Sequence, residues 1–448
     1  MKRYRAYKPT GTNWISSVPI TWDVKKIVHL FSQRKEKVSD RDFPPLSVTK
    51  NGILPQLENA AKTDDGDNRK KVCVGDFVIN SRSDRKGSCG VSALEGSVSL
   101  INIVLHPRSQ LTGNYAHYLL RSQPFSEEFY RNGRGIVADL WTTRYSEMKT
   151  ILLPVPPREE QDQIVRYLDW QVSKINRLIA AKRKQIALLK EHRTAKINQA
   201  VTTGIHSDTQ LAYTGYNWLP YAPANWKPVP AKALFRNVTE LRRQDDSMLA
   251  ATQKYGLIEQ SEYMRLEERR IVLANDNLDK WLHTEPNDFI ISLRSFQGGL
   301  EMCSKPGCVT WHYVVLRSQR DIFPDFYKWF FKSAAYIAAL QKTSDFIRDG
   351  QDLRFSNFVK VGLFNIPMDE QREIAEYLNR EIPKYDVAID NLEKQIGQIT
   401  ELRTRLISDV VTGQVDVRGI EVPEFEYVGE ADVAGEQDEE ETEEEVDG

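Results

Sequence analysis

One stretch of this chain is written twice, and the fold must accommodate both copies. EEQDQIVRYLDWQV, from Glu159, returns 210 residues later as DEQREIAEYLNREI, from Asp369. The match continues at the same offset through Ile179/Ile389, Lys184/Lys394, Gln185/Gln395, Ile186/Ile396, Arg193/Arg403 and Ile197/Ile407, and both copies close on Val-Thr and Gly (AVTTGI at Ala200, VVTGQV at Val410). The regions ahead of these helices repeat too. GTNWISSVPITW at Gly11 pairs with GYNWLPYAPANW at Gly215, TKNGI at Thr49 with QKYGL at Gln253, DFVINSRS at Asp76 with DFIISLRS at Asp288, and RYS at Arg144 with RFS at Arg354. Small drifts in offset are what loop insertions produce. The chain is a tandem duplication of one mixed unit followed by a long helix.

Its 448 residues are too many for one ordinary core. Short apolar runs such as Phe77–Ile79 and Phe289–Ile291, punctuated by Gly, Pro and Asn, read as strands and turns. NYAHYLLRS at Asn114 and FPDFYKWFFKS at Phe323 read as short helices. The expected fold class is α+β: two duplicated globular domains separated by long helices. The expected segments are 1–156, a first helical spacer 157–203, 204–366, a second spacer 367–413, and a tail 414–448.

The second helix has a checkable heptad. Leu378, Tyr385, Leu392, Ile399 and Leu406 are seven apart, and so are Ile382, Ile389, Ile396, Arg403 and Val410. The first helix shares the frame in Leu168, Ile175, Lys182, Leu189 and Lys196 with Val172, Ile179, Ile186, Arg193 and Ala200. Basic residues at three of these ten positions argue against a homodimeric zipper, and two half-matched seams in one chain favour an intramolecular partner. Two similar units packing about a twofold would make the helices antiparallel. Leu168, Val172, Ile175, Ile179, Ile186, Leu189, Leu378, Tyr385, Ile389, Leu392, Ile396, Ile399 and Leu406 are the interface candidates. Pro383 predicts a short helix over 369–381, a kink, and a helix over 384–411 of ~42 Å. By periodicity alone, a plain dimerisation stalk stays open.

Net charge is −2, but residues 421–448 hold fourteen Asp or Glu and no Lys or Arg. The first 420 residues therefore carry 61 basic against 49 acidic groups, an excess of twelve that suits a polyanion binder. The acidic tail lacks apolar content and reads as disordered. No stretch approaches the ~20 apolar residues of a membrane span, and the start lacks a signal-like apolar run, so a cytoplasmic protein is expected. The four cysteines form no CxxC and none sits beside a histidine at zinc-ligand spacing, so no metal site is expected.

Reactive groups are sought without success. There is no Asn/Asp-Pro-Pro-aromatic tetrapeptide for holding a flipped base, and no GK[ST] for a phosphate loop. The nearest approach to a nuclease motif is Asp139 with Glu147 and Lys149; its spacing is short, and the repeat has Asn357 where Glu147 stands. No catalytic residue is assigned. For duplex contact, two matching segments leave a strand and enter a Gly-bearing loop with an arginine at the exit. Arg82, Arg85 and Lys86, then Arg294 and Gln297, are the candidates, with Lys50 and Lys254 as phosphate contacts. Trp14, Trp22, Trp218 and Trp226 recur with prolines at fixed spacing, which fits a hydrophobic clasp better than base stacking.

The paired W-x(4)-P-x-x-W openings, P-x-x-EQ-x-x-I-x-x-YL helix starts and R-x(7)-VTG endings resemble the specificity subunit of type I restriction–modification systems, over about residues 11–413. That resemblance implies two target recognition domains, each reading one half of a split asymmetric DNA site, and conserved helical spacers that set the gap. It implies as partners double-stranded DNA, two modification (adenine-N6 methyltransferase) subunits and the motor–nuclease restriction subunits. S-adenosylmethionine, ATP and Mg would be bound by those partners and no cofactor by this chain. The tail lies outside the family's pattern. A DNA-independent coiled-coil scaffold and an intrinsic nuclease or methyltransferase are the alternatives.

Overall fold

The computed structural model describes residues 2–56, 66–135, 141–252, 255–266, 277–292, 295–343 and 353–429, without the side chains of 296 and 297. Two compact units emerge, 1–185 with 392–448, and 186–391. They cut across the linear segments expected from the sequence: each takes one globular body and a part of both long helices.

The two bodies have one topology. In the first, an antiparallel sheet runs Cys89–Val91, Phe77–Asn80, Asn102–Pro107, Phe31–Gln33 in spatial order. In the second the order is Glu301–Met302, Phe289–Ile291, Val314–Ser318, Phe235–Val238. The hairpin Leu46–Thr49/Gly52–Pro55 matches Leu249–Thr252/Gly256–Glu259, and the pair Asp23–Lys26/Leu152–Val155 matches Lys227–Val229/Leu363–Asn365. The central strands read as unbroken apolar runs because both faces are covered. Phe77 and Ile79 enter the main core while Val78 enters a satellite with Val72, Val98 and Val104. Phe289 and Ile291 divide from Ile290 in the same way. Alternation along a strand sends neighbours to opposite faces, so two cores demand apolar residues at every position.

The first long helix is Arg158–Thr203 and the second Met368–Val411. The repeated Glu-Gln at their starts is a fastening. The Gln161 amide donates to the carbonyls of Gln110 and Pro156 while its Oε1 accepts from the Thr112 amide. Gln371 does the same with the Ile366 carbonyl and the Phe323 amide. Glu370 accepts from the buried indole of Trp226 at 2.9 Å, whereas Glu160 accepts from the Tyr4 hydroxyl. Trp22 and Trp226 are buried, as a clasp requires. The closing Gly204 and Gly413 have φ of +80° and +74°, the left-handed conformation that ends a helix at least cost for glycine. A Cβ on Gly413 would also clash with Pro19.

The break expected at Pro383 does not occur: the second helix continues through it. The carbonyl left without an amide donor belongs to Asn379, an exposed residue that water can serve, and the neighbouring Ile382 is buried in the core of the second unit. Tertiary packing outweighs the local penalty.

Within each unit the helices run antiparallel. In the first, Lys182 Nζ donates to Gln395 Oε1 at 2.6 Å and Arg403 to Asn176 Oδ1 at 2.8 Å. In the second, Arg193 reaches Asp386 at 2.8 Å and Lys196 the Tyr377 hydroxyl at 3.2 Å. As one residue number rises, its partner's falls. The basic seam residues thus each have a specific polar partner. Of the interface candidates, Leu168, Val172, Ile179, Ile186, Leu378, Ile389 and Leu406 are buried; Ile175, Leu189, Tyr385, Leu392, Ile396 and Ile399 are half-buried. Among the described residues no helix is long and apolar enough to cross a membrane.

The second body holds a polar knot that has no counterpart among the described residues of the first. His283, on the strand Leu282–Thr284, is buried between Asp246 at 2.8 Å and Glu285 at 2.8 Å, and Arg243 lies on Glu285 at 2.9 Å. Burial pulls the imidazole pKa down, but hydrogen bonds to Glu285 and Asp246 and the Asp246 charge leave it raised above the ordinary value. A raised folded pKa means that protonation favours the fold. This contribution is full below the unfolded value of about 6.5 and is lost as pH rises through the folded one. Chemical denaturation of the second unit should show stability declining as pH rises past neutrality, and His283→Gln should flatten that slope. An unchanged profile would refute the assignment.

Candidate nucleic-acid interface

The candidate loop of the first body leaves the C-terminal end of the strand Phe77–Asn80, whose opposite end carries a buried charge. Asp76 starts this strand fully buried and accepts from Arg34 Nε at 2.6 Å, Arg34 Nη2 at 3.1 Å and the Cys73 amide at 2.9 Å, with His106 Nδ1 at 3.2 Å. Its repeat, Asp288, accepts from Arg317 at 2.8 and 2.7 Å and from the Glu285 amide at 2.8 Å. Arg317 stands on its strand where His106 stands in the first body, as the pairings Leu105↔Phe77 and Leu316↔Phe289 show. The buried carboxylate is repeated, but its cation differs in origin: Arg317 stands on the neighbouring strand, whereas Arg34 lies just past the end of the strand Phe31–Gln33, one further out in the sheet. Both arrangements fasten the start of the strand whose other end feeds the loop.

Beyond the strand, Asn80 Oδ1 accepts from the Arg82 amide, and the Arg85 carbonyl accepts from the Tyr130 hydroxyl at 3.1 Å. Gly87, with φ +88°, turns the chain toward Lys50. Arg82 and Arg85 are half-buried, and Arg82 lies 3.5 Å from Asp84. Lys86 and Lys50 are exposed and line one cleft of about 370 Å³. Arg121 and Arg403 line it too, and none of its described lining residues is a carboxylate. Arg121 donates to the Lys50 carbonyl at 2.6 Å and lies 3.1 Å from His117. Val172 and Ile407 of the long helices supply apolar lining. Four cations gathered on a partly apolar base suit a chain of phosphates or carboxylates.

Of the sequence candidates in the first body, the fold brings Lys50 and Lys86 to this cleft and leaves Arg82 and Arg85 off its wall. Arg121 and Arg403 were not singled out as contacts. The only signal for Arg403 was a charge on an apolar seam; Arg121 gave none, because its helix, Gly113–Arg121, reads as ordinary amphipathic packing. In the second body, Lys254, Arg294 and the side chain of Gln297 lie outside the described residues. The nearest approach to a nuclease motif has structural uses. Glu147 accepts from Ser146, and Asn357 accepts from the Arg354 amide at 3.1 Å and donates to the Thr343 carbonyl at 2.8 Å. Asp139 lies outside the described residues.

No family model matches the chain. Among curated proteins it is similar to a chain of Methanocaldococcus jannaschii assigned to the type I restriction enzyme MjaX as its specificity subunit. The two are 19% identical over 439 residues, covering 90% of this chain and 96% of the relative. Among solved structures, the fold is shared with a chain from a structure of the type I R-M system, described for its complex assembly and conformational transition. That match has a TM-score of 0.57 at 13% identity and covers 89% and 99% of the two chains. The HsdS subunit from Thermoanaerobacter tengcongensis aligns at a TM-score of 0.45 and 13% identity, over 89% of this chain and 98% of that one.

Proposed function

We propose, for a chain that belongs to the specificity subunits of type I restriction–modification systems, that each globular body reads one half of a bipartite DNA site. The observation that carries this reading is the duplication itself: one topology made twice, with a loop leaving the equivalent central strand in each body. Were the loops alike, the two halves would read the same sequence. NSRSDRKGSCG and SLRSFQGGL differ, so the site is asymmetric.

In this reading Lys50, Lys86, Arg121 and Arg403 meet backbone phosphates, and Arg82 and Arg85 work at base edges. Lys254, Arg294 and Gln297 serve the second body. The paired helices set the gap between half-sites and dock two modification subunits and the restriction subunits. The chain itself catalyses nothing; S-adenosylmethionine, ATP and Mg belong to those partners, in the cytoplasm.

Exchanging residues 1–156 for the matching segment of a relative should alter one half of the methylated site in a genome-wide methylation map and leave the other half intact. If both halves change together, the bodies do not read independently. Loss of each phosphate-contacting cation should reduce the salt slope of duplex binding by about 0.9, uniformly across sequences.

A further inference from the structure

The acidic tail is the one marked sequence feature that this function does not absorb, and its described portion is not free. After Gly413 the chain is tied back to the first unit. The Asp416 amide donates to the Lys2 carbonyl, and Val415 and Val417 are buried. Gln163 Nε2 donates to the carbonyls of Val417 at 3.0 Å and Ile420 at 2.7 Å. Ile420 and Val422 pack on the core, and Arg177 donates to the Glu426 carbonyl at 2.6 Å. Ser173 and Asn176 then hold Val428 through both its amide (3.1 Å) and its carbonyl (2.9 Å). From residue 163 to 177 the first long helix thus carries a strap. The expectation of a disordered tail fails for residues 414–429, because the strap supplies apolar side chains to the core and the helix supplies polar partners for its backbone. Residues 430–448 lie outside the described residues.

The strap delivers the chain to one place. Tyr427 and Gly429 line the same cleft as Lys50, Lys86, Arg121 and Arg403. The fully buried Asn176 joins the two: its Oδ1 accepts from Arg403 at 2.8 Å while its Nδ2 holds the Val428 carbonyl. The next nineteen residues, 430–448, carry eleven carboxylates and no Lys or Arg. Fully extended they reach ~60 Å, far more than the cleft requires.

We propose that residues 430–448 dock in this cleft as an internal polyanion and compete there with duplex phosphates. Tethering sets the local concentration of carboxylates near the millimolar range, so contacts that are individually weak still fill the cleft at low salt. A non-specific duplex offers only phosphates and is held off, while a cognate site adds base contacts and displaces the tail. The competition rests on the DNA reading proposed for this chain; the docking does not.

Zero-length carbodiimide cross-linking of the full chain, mapped by mass spectrometry, tests the docking without DNA. In low salt, Lys50 or Lys86 should join to a carboxylate within 430–448, and about 0.5 M salt should abolish the link by screening. Lys86→Ala should leave the Lys50 link as a folded-state control. Absence of such links in low salt overturns the proposal, whatever the duplex does. A full-length chain whose eleven tail carboxylates are changed to amides should bind non-specific duplex on the order of tenfold more tightly at low salt, with the gain vanishing at high salt. Links without that gain overturn the competition. Links in a chain that binds no duplex in either form uphold the docking and refute the DNA reading instead.

Discussion

Arg317→Ala should destabilise the second unit by about 3–5 kcal/mol, the largest single-residue effect expected in this protein. The loss comes from what stays behind. Asp288 is 1% exposed and, among the described residues, would keep only the Glu285 amide, at 2.8 Å, to compensate a full charge. Removing a bidentate guanidinium costs more than the pair contributes, because an unpaired buried carboxylate must bear its own desolvation. Arg317→Lys should recover only part, since an ammonium cannot offer the parallel fork. Adding Asp288→Asn to Arg317→Ala should also recover part, by taking away the stranded charge. Arg34→Ala in the first unit should cost less, because His106 remains 3.2 Å from Asp76 and a neutral imidazole can still donate. Denaturant unfolding, with hydrogen exchange assigning the loss to one unit, checks the series. A cost below about 1 kcal/mol for Arg317→Ala, or equal costs in the two units, would refute the account.

If each body reads one half-site, as proposed, four residues inserted in both long helices, after Gln185 and after Asn391, should widen the gap between half-sites by one or two base pairs and leave the half-site sequences unchanged. These points are where the two compact units divide each helix. The insertion adds ~6 Å of rise and turns the distal part of each helix by roughly 40°. Duplex DNA gains about 3.4 Å and a similar rotation per base pair, so the second body can meet its half-site again. Four residues also form a tolerated insertion in a heptad pattern, which they unwind locally. Inserting near Gly204 is a poorer test. Ile197, Ala200 and Val201 are buried in the second core just ahead of that glycine, so the extension would pull the body off its helix. Methylation mapping reports gap and half-sites together. An altered half-site with an unchanged gap would show that the helices do not set the spacing.

The duplication, the α+β class and the pairing of the two long helices within one chain were all legible in the residues alone. Each of these rests on periodicity or repetition, which survives without knowing what touches what. The sequence also marked the Glu-Gln starts and the Val-Thr-Gly ends, though not why they recur: Gln161 and Gln371 clamp a strand and a helix cap, and Gly204 and Gly413 need positive φ. Three matters were left to tertiary structure. Pro383 stays inside its helix because a buried neighbour and a water-accessible carbonyl offset a local penalty that sequence reading can only count. The cation for the repeated buried aspartate comes from Arg34 in one body and Arg317 in the other, because the neighbouring strand and the end of the strand beyond it both reach the carboxylate and one charge from either suffices. The basic cleft gathers Lys50, Lys86, Arg121 and Arg403 from a hairpin turn, a loop, a short helix and the far end of the chain. Such a site is a product of long-range packing, to which neither spacing nor composition is sensitive.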